Sequence, residues 1–115
     1  MKYLLMIYAS EKEEESMPAG ESGDIMQAYG AYTDALIAAG ALQAGERLRP
    51  VADATSVRVR GGKTDVLNGP YVETREQLGG YDLIDVPDLD AALMWAARCP
   101  SSVYGTIEVR PIWEM

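Results

Sequence analysis

Apolar positions follow two rhythms along the chain, and each predicts a different element. Residues 2–9, KYLLMIYA, form an unbroken apolar run whose alternate sets, Tyr3-Leu5-Ile7 and Leu4-Met6-Tyr8, are both hydrophobic. A strand of this kind is covered on both faces. From Asp24, a predicted N-cap, the spacing changes to threes and fours. Ile25, Tyr29, Tyr32, Leu36 and Ala39 mark one face of a helix, and Gly40 supplies its stop. ALQAGERL, residues 41–48, and a loop at Pro50 come next. Strict alternation returns at TSVRVR, residues 55–60, where Val57 and Val59 oppose Ser56, Arg58 and Arg60. Gly61-Gly62-Lys63 reads as a hairpin turn into TDVL, residues 64–67.

GYDLIDV (80–86) and TIEVRPIW (106–113) are the remaining strands, and in the latter Ile107 and Val109 oppose Thr106, Glu108 and Arg110. Between them Pro87-Asp88 opens a second helix, with Asp88 as cap and Leu89, Ala92, Leu93 and Ala96 as its buried stripe. Pro100-Ser101-Ser102 ends that helix, and Trp95 and Trp113 fall outside the stripes. Residues 10–23, SEKEEESMPAGESG, are acidic and rich in Gly, Ser and Pro, which predicts a solvated loop.

This order predicts one α+β domain over residues 1–115, a ferredoxin-like split β-α-β arrangement with an added hairpin. Two helices cover only one face of such a sheet. The opposite face combines apolar residues of the first strand with polar ones from the Arg58 and Glu108 strands. That mixture suits an interface enclosing a cleft, so a homodimer is expected.

Charge and composition narrow the partners. A chain of 115 residues buries roughly two-thirds of its unfolded surface. The net charge of −8 argues against nucleic acid, which requires a clustered basic surface, and disfavours anionic membranes. MKYLLMIYA is too short to span a bilayer and no small-residue cleavage site follows it, so a cytoplasmic location is expected. The single cysteine, Cys99, cannot form an internal disulfide and reads as structural. With no histidine, a Ser-His-Asp triad, a Cys-His pair and histidine-based metal sites are all ruled out. The Glu13-Glu14-Glu15 run lacks the spacing of a calcium loop, and no phosphate loop, dinucleotide fingerprint or metal spacing occurs. No metal and no cofactor are expected.

Two constellations remain. The first is the loop beginning Asn68-Gly69-Pro70-Tyr71 and ending at Gly79-Gly80. Its structural reading is a turn fixed by Pro70 and anchored by Tyr71. In its functional reading Asn68, Tyr71 and Glu73 rim a pocket, with Glu73 as base and Tyr71 as a hydrogen-bonding wall. The second is Arg58, Glu108 and Arg110, placed by alternation on the proposed cleft face. They read either as an interfacial ion-pair network or as an anion site in which Arg58 or Arg110 grips a carboxylate bidentately. Glu108 is a further candidate base, and Asp65 and Asp82 are candidate acids nearby in sequence, with solvent exposure the favoured reading of both.

MKYLLMIY, ATSVRVRGGKTDVLNGPYVETREQLGGYDLIDV, DLDAALMWAARCP and GTIEVRPI together resemble the YCII-related family, and within it the subgroup named for an Asp-Gly-Pro-Phe motif. The resemblance runs nearly end to end, apart from the acidic stretch around residues 10–23. It implies a dimeric α/β barrel in which two ferredoxin-like sheets face one another. The activity suggested for the family rests on a His and Asp pair, which this histidine-free chain lacks. Asn68 also replaces the motif's Asp, and Tyr71 its Phe. Three readings follow. The first is a dimeric binding or regulatory domain for a small anionic molecule. The second is a cofactor-independent lyase or isomerase using a cleft carboxylate or tyrosine. The third is a protein-interaction module with no ligand cleft.

Overall fold

The computed structural model describes residues 1–115. Strand β1 (Lys2–Ala9) is followed by a short helix α1 (Glu11–Glu15) and a long helix α2 (Ala19–Ala38). Strands β2 (Leu42–Arg47), β3 (Thr55–Arg60), β4 (Lys63–Asn68) and β5 (Gln77–Asp85) come next. Helix α3 (Leu89–Arg98) and strand β6 (Thr106–Pro111) close the chain, and 3-10 turns occupy 51–53 and 100–103.

Residues 10–23 are therefore not a loop. Ser10 caps α1, its side chain accepting from the Glu13 amide at 3.2 Å, and the glutamates of the first turn sit where the helix dipole favours them. Helix α2 starts at Ala19, behind Pro18, five residues before the expected Asp24. Its first turn buries nothing, so no apolar stripe announced it.

Four strands form one antiparallel sheet in the order β2-β5-β1-β6, while β3 and β4 pair only with each other in a separate sheet. The result is an α+β molecule with antiparallel sheets and three helices, compatible with a ferredoxin-like arrangement. Alternation along β1 sends Tyr3 and Leu5 into the core with Ile84, against Tyr32 and Leu36 of α2 and Ala92, Trp95 and Ala96 of α3. Trp95 thus belongs to the core stripe. Leu89 and Leu93, expected there, are exposed because α3 presents its small alanines and the indole to the sheet. The ring of Tyr32 meets that of Trp95 edge-on, and Arg98 lies 4.4 Å above the indole.

The opposite sheet face has no helix on it. Leu4, Met6 and Tyr8 of β1 stand there beside Arg110, Glu108 and Thr106 of β6 on one side and Leu83 and Tyr81 of β5 on the other, as the register dictates. The molecule is a plate of 47 × 44 × 18 Å.

Candidate functional site

The expected site residues fall in two separate places. Arg58 of β3 stands directly opposite Asp65 of β4, and with Ser56, Leu67 and Tyr71 they line a hollow on one face of the hairpin. The turn after Asn68 is held by backbone. Gly69 takes φ 120°, its amide donates to the Ala54 carbonyl at 2.7 Å and its carbonyl accepts from the Ser56 hydroxyl at 2.8 Å. Asn68 and Glu73 are exposed, and Tyr71 is 73 % exposed, so the ring rims the hollow without anchoring the loop. The loop is tied down further along. The Thr106 hydroxyl donates to Glu76 at 2.8 Å, Gln77 accepts from the Glu11 amide at 2.9 Å, and the Glu11 carboxylate accepts from the Val51 amide at 3.1 Å.

Glu108 and Arg110 lie elsewhere, on the uncovered face of β6, opposite Met6 and Leu4. Strand β6 is one edge of the four-stranded sheet, whereas the Arg58 hairpin springs from the connection between β2 and β5 at the other. Arg58, Glu108 and Arg110 therefore do not form one cluster within the protomer. The ion pairs join Met1 to Asp85 and Arg49 to Asp53 and involve none of the three. Alternation assigns a face to a strand but leaves open which sheet the strand joins.

Sequence reasoning missed a polar chain that links α1, α2 and the 3-10 turn after α3. The Tyr104 hydroxyl donates to Glu14 of α1 at 3.2 Å and bonds Ser101 at 3.1 Å. Ser101 bonds the Tyr29 hydroxyl in turn, and that hydroxyl lies 3.4 Å from the Cys99 sulfur. Nearby, Tyr32 donates to the Trp95 carbonyl at 2.8 Å. Burial pushes the Tyr29 and Tyr32 hydroxyls far above the usual phenol range and the Cys99 thiol upward as well. Cys99 is a buried free thiol, the placement expected of a structural cysteine before Pro100. Tyr29 and Tyr32 stood on the predicted stripe, but no spacing connects residues 14, 29, 99, 101 and 104.

Asp82 departs most from expectation. It pairs with Leu5 on one side and Gly45 on the other, which puts it on the core side of β5 and half-buries it. Burial pushes its carboxyl above the ordinary value of 3.8. No ion pair holds it, and the carboxylate leans over β2 so closely that a Cβ on Gly45 would collide with Oδ1. The legible signal was a carboxylate two residues before Ile84 on a strand whose Ile84 side is core.

The class of protein follows from these pieces: an α+β domain with a four-stranded antiparallel sheet, helices on one face and a free hairpin. The chain belongs to the YCII-related domain family, whose sequence model matches residues 1–115. It is 35 % identical over 116 residues to an uncharacterized protein of Rhizobium meliloti (strain 1021), a match covering 97 % of this chain and 92 % of that protein. No helix is long and apolar enough to cross a membrane.

Proposed function

We propose that this chain is a small-molecule-binding domain that works as a homodimer, two uncovered sheet faces meeting to enclose a cleft for an anionic ligand. The observation that carries this reading is the outer sheet face. Leu4, Met6, Tyr8, Tyr81 and Leu83 form an apolar field there, and Arg110 stands at its margin with no carboxylate bound to it. Apolar residues in the middle of a sheet face are stabilised by a second layer. A guanidinium at the rim of such a layer has its donors free for a carboxylate or phosphate.

Light scattering on the eluting full chain, native mass spectrometry of the freshly purified protein, and titration with small mono- and dicarboxylates test this together. A dimer that binds a carboxylate and loses roughly tenfold or more in affinity in Arg110→Ala supports it, the scale of one charge-assisted pair. A chain that stays monomeric, or a dimer indifferent to every anion offered, overturns it.

One observation favours a second reading, that of a cofactor-independent lyase or isomerase. Asp82, on the helix side of the sheet, is a half-buried carboxylate without an ion-pair partner whose proton affinity is raised by burial, the direction that favours a general base. Glu73, Tyr71 and Glu108 are all exposed and have no comparable setting.

A further inference from the structure

The β3–β4 hairpin is unsupported in the protomer. Its strands bond only each other, and every residue from Thr55 to Asn68 is exposed except Ser56, which is partly covered. A two-stranded ribbon alone in water is marginally stable at best. The turn is a tight one, with Gly61 at φ 57° and Gly62 at φ 78°, the paired left-handed residues that suit a two-residue hairpin. Register then sorts the side chains. Val57, Val59 and Val66 share one face with Thr55, Thr64 and Asn68, a face without a charge whose valines are 67 %, 57 % and 66 % exposed. Arg58, Arg60, Lys63 and Asp65 share the other.

Two quantities measure how much surface is left uncovered. The chain exposes 8073 Å², against about 6,200 Å² for a compact monomer of 12.5 kDa. The surplus of about 1,900 Å² exceeds the ~800 Å² that each partner buries in a standard interface. Its radius of gyration of 16.1 Å likewise exceeds the ~13 Å of a compact domain this long. Charge points the same way. Residues 55–68 carry a net +2 on a chain of total charge −8, so the remainder carries −10 and attracts a basic arm.

We infer that the hairpin is an arm that packs its valine face on the body of a second copy of this chain, while Arg58, Arg60 and Lys63 on its other face give the arm the positive charge that steers it toward that acidic copy. This deepens the homodimer reading above and rests on it for the identity of the partner. It adds that the arm, and not only the four-stranded sheet, holds the two copies together.

Sedimentation equilibrium on the full chain tests it with three variants: Val57→Asp/Val66→Asp on the arm, Arg58→Glu/Arg60→Glu on the arm, and Met6→Glu on the sheet face. Both arm variants alter only exposed positions, so circular dichroism should match the parent. The expected result is a parent dimer, a valine-face variant whose dimer is at least about tenfold weaker, and a charge-reversed variant weakened with loss of most of the parent's salt dependence. An unchanged dimer in both arm variants overturns the arm. Loss of the dimer in the Met6 variant under those conditions leaves the sheet-face reading standing. A dimer lost in the arm variants and kept in Met6→Glu supports the arm and removes the sheet face. A parent that remains monomeric at every concentration overturns both.

Discussion

Asp82 shows how one residue's setting becomes a measurable property of the whole chain. Its carboxyl is raised by burial and nothing positive offsets it, so the folded state holds that proton more tightly than the unfolded state does. The sign follows directly. Below both proton affinities the residue is neutral in either state and costs nothing. As pH rises past the unfolded value near 3.8 and through the raised folded value, the folded state binds more protons than the unfolded one and stability falls. Asp82→Asn imitates the neutral form at every pH. We expect urea midpoints of the variant to exceed those of the parent at neutral pH and to converge with them as pH drops through the folded value. Parallel curves would mean the carboxylate is better solvated than its position implies. The sequence held half of this: alternation puts Asp82 with Ile84, but only the register places Leu5 and Gly45 beside it.

At the scale of elements, α3 and every strand but β2, whose residues after Leu42 are all exposed, were readable because their ends and rhythms are chemically marked. Asp88 was predicted to cap α3 and does, its carboxylate accepting from the Ala91 amide at 2.9 Å. Asp88→Ala should cost about 1 kcal/mol in urea unfolding, and Asp88→Ser or Asp88→Asn most of that less. An Ala variant as stable as the parent would show that packing of Ala92, Trp95 and Ala96 alone defines where the helix begins. Helix α1 and the first turn of α2 were unreadable for the converse reason. They bury nothing, so no hydrophobic period exists to find, and the Gly and Pro around them imitate a loop. Trp95 was hidden by its neighbours, since alanines at three- and four-residue spacing define a helical face too weakly to assign one large ring to it.

At the scale of the molecule, sheet membership was the illegible part. The order of elements points to a ferredoxin-like sheet through general topological rules, yet the alternation in TSVRVR is the same whether that strand extends the sheet or leaves it. Because it leaves, Arg58 parts from Glu108 and Arg110, and the chain becomes a thin plate with an arm. Only 14 of its 115 residues are buried, a small core to offset the conformational entropy of ordering the rest. If a second copy supplies the missing burial, folding and association are one equilibrium, and the melting temperature must depend on protein concentration. Each tenfold rise in concentration should raise it by about 3 °C, the shift expected for a domain this size when half of one RT ln 10 is added per chain. The slope is read by calorimetry over a hundredfold dilution series. A melting temperature independent of concentration would mean that the 18 Å plate stands alone on its small core, and the exposed sheet face and arm would then need a different occupant.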